Sequence, residues 1–253
     1  MKRRILFLVI IIVIIILAIY KTVDIVKING TSTIKMIDKK EGKDLTISII
    51  KGEQYLHKFK INSFISIKTP PQFAVWIEDL NGNYIETLYA TSKIVNQSWS
   101  KAPNDSTPKD KIKREEALPY WTHKRGNNLI KADAISSATP KGNSIIKTKT
   151  DSKQSKYVIL AEFNNSTDFN EYYKKDAVIS TDNYSGGEWG SGQPAVVYST
   201  TIDLNSTNRV YDLKLIGHSS PSGKDGKLYE DFSKLTTAKN IIKSITVEVK
   251  ERN

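Results

Sequence analysis

Three histidines, His57, His123 and His218, are the first residues to weigh for chemistry. They lie far apart, and none has the HxH or HExxH spacing that sets two imidazoles on one metal ion, so they read as surface or core residues. The chain has no cysteine, which removes thiolate catalysis, iron–sulfur ligation, thioether haem attachment and disulfides together. No GxSxG elbow is present. The glycine-rich run from Ser185 to Pro194 (SGGEWGSGQP) lacks the lysine and following helix of a phosphate cradle, leaving Trp189 either packed beneath a loop or exposed for stacking. Hard oxygen donors gather from Asn164 to Glu171 without EF-hand spacing, and they read as Asx turns. Glu115-Glu116 and Glu230-Asp231 are adjacent pairs, which do not by themselves converge on a substrate. These patterns give no catalytic residue and no metal ligand. What remains is a polar, aromatic-studded stretch from Arg114 to Pro140 (REEALPYWTHKRGNNLIKADAISSATP), in which Tyr120 and Trp121, with Trp189 further on, are the candidate partner contacts.

The elements that must position these residues are strands. Apolar and polar residues alternate through Ile34 and Met36, then Leu45, Ile47 and Ile49, the period of a half-buried strand. Phe73-Ala74-Val75-Trp76-Ile77 and Tyr84-Ile85-Glu86-Thr87-Leu88-Tyr89 flank Asn81-Gly82, two residues that tolerate positive φ, and so form a hairpin. The strand signal lapses over about 92–156, a long inserted loop whose Lys101 to Glu116 is solvated in character, with one helical turn expected near Ile112 to Ala117. It resumes at Tyr157, Ile159, Ala161 and Phe163, continues through Ala195 to Tyr198 and at Tyr211, Leu213 and Leu215, and ends at Ile245, Val247 and Val249. Leu235, Ala238 and Ile242 share a face of a short C-terminal helix expected at about 235–243. About eight strands with no βαβ rhythm indicate a mainly β fold, an antiparallel β-sandwich of immunoglobulin or fibronectin-III type with long loops.

Asp133-Ala134-Ile135-Ser136-Ser137-Ala138-Thr139 resembles the acceptor motif of covalently flavinylated extracytoplasmic proteins, Asp-x-x-Ser/Thr-Gly-Ala-Thr/Ser. The resemblance implies FMN joined through a phosphoester to Thr139 by a flavin transferase, with Asp133, Ser136 and Ala138 completing the motif. Ser137 stands where that motif has glycine. The hairpin FAVWIEDLNGNYIETLY followed by DAISSATP, within roughly Ile47 to Pro140, is similar to the bacterial extracytoplasmic family called "domain of unknown function 2271". Its members are β-sandwich proteins often encoded beside flavin transferases and membrane redox components. The later SGQPAVVY and GHSSPSGKDGKLYEDFSKLTTAKNI resemble uncharacterised membrane-anchored relatives with the same front half.

The address is written in the first residues. Lys2, Arg3 and Arg4 precede an unbroken apolar run, Ile5 to Tyr20, closed by Lys21. At about 1.5 Å per residue the run gives about 24 Å of helix, and snorkelling Arg4 and Lys21 close the gap to a bilayer core of about 30 Å. A cleaved signal peptide would need a small-x-small site, and Ala18-Ile19-Tyr20 does not supply one. Residues 1–22 are therefore expected to be a single-pass signal anchor with its N-terminus cytoplasmic, and 23–253 an extracellular domain. The net charge of +11 is spread along the chain with mixed sign, which suits an envelope surface facing anionic lipid and wall polymer and lacks the module of a nucleic-acid binder. The expected role is a non-enzymatic accessory or binding protein of the cell envelope, whose partner is an envelope protein or a wall polymer. The alternative is an electron carrier bearing FMN on Thr139.

Overall fold

The hairpin turn folds as its residue types require. Asp79 accepts hydrogen bonds from the backbone N–H groups of Asn81 and Asn83, both at 2.9 Å, and Gly82 takes a φ of 78°. The turn joins β5 (Gln72–Glu78) to β6 (Tyr84–Thr91). The computed structural model describes residues 9–16, 19, 29–36, 42–60, 66–102, 105, 107, 109–130, 134–136, 139–151 and 153–250. Residues 9–16 are helical, and no helix among the described residues is long and apolar enough to cross a membrane. Apart from Ile19, the rest of the expected anchor lies outside them.

The described residues are mainly β, in largely antiparallel sheets. One sheet runs β1 (Thr31–Lys35), β8 (Asn143–Lys149), β2 (Asp44–Lys51), β13 (Ile242–Lys250), β11 (Val210–Asp212). The second runs β12 (Lys214–His218), β10 (Val196–Asp203), β9 (Lys156–Asn164), β5, β6, β7 (Ile135–Ser136). A separate hairpin pairs β3 (His57–Lys60) with β4 (Ser66–Thr69). Two edge pairings, β1 with β8 and β6 with β7, are parallel.

One apolar core lies between the two sheets. Leu45, Ile47, Ile49, Ile245, Val247 and Val249 meet Phe73, Val75, Tyr157, Ile159, Phe163 and Val196 there. The Phe73 ring stacks on Phe163 at 5.0 Å and on Tyr89 at 4.8 Å. The strands differ in their second face. β2 alternates buried and half-buried residues, whereas β5 and most of β9 are buried on both sides. The first part of the long insertion is the cause: Trp99, Ala117, Leu118 and Trp121 pack against Ala74, Trp76, Ala90, Leu160 and Val197 on the outer face of β5, β6, β9 and β10. A continuous apolar run such as Phe73 to Ile77 is what a doubly covered strand needs.

Four expectations are corrected. The loop expected over about 92–156 is not free of strands: β7 and β8 lie within it, and β8 sits between β1 and β2 in the first sheet. No helix forms over 235–243; a 3-10 turn spans Thr237–Asn240 and β13 begins at Ile242. The carbonyls of Asn240 and Ile241 accept from Gln54 and Gly52 at 3.0 and 2.8 Å, and a continuing helix would have no reason to spend them across the fold. The strand expected through Tyr211, Leu213 and Leu215 is two, because the chain crosses at Leu213 from the first sheet (β11 on β13) to the second (β12 on β10). The insertion's helical turn forms at Pro119–Arg125 rather than at 112–117, with a second short helix at Ser92–Asn96. Pro119 explains the first shift, since proline pre-sets φ for an opening helical turn.

Trp121 is 1% exposed and belongs to this outer core, so Trp121→Ala should cost about 3–5 kcal/mol in denaturant unfolding, as large-to-small core changes do. A loss below about 1 kcal/mol would mean that the insertion does not hold the sheet as described.

Candidate functional site

Glu162 positions the insertion. It lies on the outer face of β9, is 0% exposed, and points its carboxylate at the first turn of the helix Pro119–Arg125. Trp121 N–H donates to Oε2 at 2.7 Å and Tyr120 N–H to Oε1 at 3.3 Å. These are two of the donors that a helix start leaves unpaired. The far side is fixed by Trp121 Nε1 donating to Thr87 Oγ1 at 3.0 Å and by Lys124 Nζ donating to the Gly82 carbonyl at 2.9 Å. Just upstream, buried Glu116 lies against Gly186, where an added Cβ would come within 2.2 Å of Glu116 Oε1. Gly186 has a φ of 88°, so glycine is required there twice over. The single Ser191 Oγ proton is shared between the Glu116 carbonyl at 3.2 Å and Asn164 Oδ1 at 2.9 Å. The glycine-rich loop, with Trp189 at its crest, is thereby locked to the insertion.

Where these parts meet the β3–β4 hairpin there is a cleft of about 220 Å³. Its apolar walls are Trp99, Trp189, Phe59, Ile67 and Pro70. The Phe59 and Trp189 rings are 6.3 Å apart and tilted by 43°. Three cations line it: Lys101 Nζ sits 3.9 Å over the Trp189 ring, the Arg114 guanidinium 5.5 Å from the Trp99 ring, and Lys93 joins them. Burial pulls the Arg114 pKa down to about 10, and burial with the nearby Arg114 charge lowers that of Lys93. Neutral hydrogen-bonding groups come from Thr69, Gln72, Ser100 and Ser166, and no carboxylate lines the cleft among the described residues. The indole N–H groups of Trp99 and Trp189 are buried without an acceptor among the described residues. Like charges gathered here, opposed only in part by the buried Glu116 near Arg114, favour an anionic visitor.

Of the residues expected to contact a partner, Trp189 lines the cleft, while Trp121 is core and half-buried Tyr120 packs its ring 6.0 Å from Trp76. Asp133, Ser137 and Ala138 lie outside the described residues. Ser136 ends β7 opposite Thr91, and half-buried Thr139 precedes Pro140, whose carbonyl accepts from Tyr55 at 2.9 Å. Thr139 is not part of the cleft lining. Among the described residues no three His, Asp or Glu are grouped to hold a metal. Of the Asn164–Glu171 oxygens, Asp168 Oδ1 accepts from Thr237 at 2.6 Å and Asn170 Oδ1 from the Tyr172 and Tyr173 N–H groups at 3.0 and 2.8 Å, whereas Asn165 Oδ1 and Asp168 Oδ2 are buried without a hydrogen-bond partner among the described residues. Lys93, Trp99, Lys101 and Arg114 escaped the sequence reading; the only signal was Trp99-Ser100-Lys101 at the head of an otherwise solvated stretch.

The sequence matches no family model, and no curated protein or solved structure is significantly similar to it.

Burial pushes the carboxyl pKa of both Glu162 and Glu116 up to about 7. An unfolded glutamate releases its proton near pH 4.5, so between about 4.5 and 7 the folded chain binds more protons and stability falls as pH rises. Asp79, Asp203 and Asp231 are held low by hydrogen bonds and act only below that window. The melting temperature should therefore drop from pH 5 to pH 7.5, and the double variant Glu116→Gln, Glu162→Gln should flatten the slope. An unchanged slope would contradict this assignment.

Proposed function

We propose that this chain is a non-enzymatic binding module of the bacterial cell envelope, and that the cleft walled by Trp99 and Trp189 takes an anionic partner. One observation carries the reading: three cations and two indoles line one recess that contains no carboxylate among the described residues. The partner is an anionic wall polymer or an envelope protein presenting negative charge. A basic start, an apolar run and the exposed apolar side chains of Val9, Ile12 and Ile14 support a tether in residues 1–22, single-pass, with the C-terminal domain outside the cytoplasmic membrane. The resemblance to "domain of unknown function 2271" points to the same address. The two-sheet core supports an immunoglobulin- or fibronectin-III-like sandwich, a scaffold that gathers loops at its ends, as the cleft requires.

A second reading is favoured by the position of Thr139, half-buried on the link between β7 and β8 and steadied by the Tyr55 hydroxyl on Pro140. There FMN on Thr139 would make the protein an electron carrier, the flavin supplying the redox chemistry and the sandwich its placement. Intact mass and absorbance near roughly 450 nm after co-expression with a flavin transferase test it, with Thr139→Ala as control.

For the binding reading, the full chain should be retained on an insoluble anionic wall preparation and released by salt, since exposed charge pairing is screened. Lys101→Ala and Arg114→Ala together should lower retention by about tenfold, the loss of about 1.4 kcal/mol, measured well below the melting temperature of each protein. Equal retention by the variant would refute the cleft as the binding site.

A further inference from the structure

The cleft holds two kinds of recognition side by side, and together they narrow the ligand. Arg114, Lys101 and Lys93 provide a fork and two point charges, a set that fits the several oxygens of a phosphate better than the two of a carboxylate. Thr69, Gln72, Ser100 and Ser166 are neutral donors and acceptors of the kind that pair with hydroxyls. The walls set the ring type. Phe59 and Trp189 are 6.3 Å apart at 43°, so they converge and cannot clasp a flat aromatic ring between parallel faces. One indole face can still carry the C–H face of a saturated ring, whose partial positive charge suits the negative π face. At about 220 Å³ the recess is smaller than the roughly 300–1,000 Å³ of a drug-sized site, so it admits one ring with its phosphate and excludes a dinucleotide.

We infer that the cleft recognises a sugar or cyclic polyol bearing a phosphate, the repeating unit of a phosphate-linked polymer, with Arg114 and Lys93 on the phosphate and Trp189 beneath the ring. The inference rests on the binding role of the cleft argued above and names the ligand class. Lys101 is the gate. In the free protein its ammonium occupies the Trp189 face at 3.9 Å, and the phosphate draws it off because an ion pair to a desolvated phosphate outcompetes a cation–π contact. The vacated face then receives the ring. The gate sits on a stretch held by Lys109 N–H on the Ser100 carbonyl at 2.9 Å and by the Ala102–Asp105 bridge, which lets the Lys101 side chain swing without moving the sheet.

The test is calorimetry on the full chain at low salt with four probes: glucose 6-phosphate, glucose, glucuronate and inorganic phosphate. Glucose 6-phosphate should bind at least about tenfold more tightly than inorganic phosphate or glucuronate, with glucose weakest, and should change the Trp189 emission. Trp189→Leu should abolish the advantage over inorganic phosphate and leave phosphate binding in place, whereas Arg114→Gln should weaken both about tenfold or more. Lys101→Ala should weaken glucose 6-phosphate yet strengthen glucose, because the face is then open. Should Trp189→Leu fail to fold, Lys101→Ala still decides through its opposite signs. Glucuronate binding as tightly as glucose 6-phosphate, or inorganic phosphate matching it, would overturn the sugar-phosphate assignment while leaving an anion site. Failure of every anion to bind would overturn the proposed binding role itself.

Discussion

A carboxylate in the middle of a sheet holds this protein together. Glu162 is buried on the outer face of β9, a position that an ordinary two-sheet sandwich would give to solvent. A bare carboxylate there would be costly to desolvate. It is tolerated because Tyr120 and Trp121 bring it backbone N–H groups from the opening turn of their helix. The insertion is thus bound to the sheet by a reciprocal need: the carboxylate lacks water and the helix start lacks acceptors. Apolar packing then follows, with Trp76, Trp99, Trp121 and Leu160 closing a second core on the far side of the sheet from the first.

The cleft is a consequence of that seating. Once Pro119–Arg125 is pinned, Glu116 just before it is pressed against Gly186, and its carbonyl takes the Ser191 hydroxyl. The glycine-rich loop has no freedom left except at its crest, where Trp189 stands over the recess. On the other wall, Gln97 Oε1 accepts from the Arg114 backbone at 2.8 Å and Ile112 N–H donates to the Trp99 carbonyl at 2.7 Å, so Trp99 and Arg114 arrive together. Four chain segments distant in sequence therefore converge by way of polar contacts that are individually modest and jointly unambiguous.

Much of the β framework could be read from residue alternation. β2 alternates over Asp44–Ile49 and β13 over Ile245–Val249, and the Asn81-Gly82 hairpin forms as its residues dictate. The second core could not be read, because an apolar run such as Phe73 to Ile77 states that both faces are buried without naming what covers them. Trp121 illustrates the cost: an aromatic in a polar loop looks like a contact residue, and only tertiary packing reveals it as core. The C-terminal apolar face at Leu235, Ala238 and Ile242 was periodic enough for a helix, yet long-range pairing of Gly52 and Gln54 with Ile241 and Asn240 ended it after one 3-10 turn. Trp189 was legible as a candidate because it stands alone in a glycine-rich loop. Its partners Lys93, Trp99, Lys101 and Arg114 were not, since nothing local says which side chains a folded insertion brings to one place.

The chain has four tryptophans: Trp76, Trp99 and Trp121 belong to the second core, and Trp99 also lines the cleft with Trp189, so the indole N–H groups that are unpaired at the cleft can be told from those that are bonded. Their indole N–H resonances, assigned through single Trp→Phe variants, can be followed by NMR as an anionic wall polymer fragment is added. The account predicts that the signals of Trp99 and Trp189, unpaired in the free protein, shift together with one saturation curve, while those of Trp76 and Trp121, bonded to Glu78 and Thr87, stay in place. Movement of the Trp76 and Trp121 signals with Trp99 and Trp189 unmoved would contradict it, as would a titration in which no indole responds.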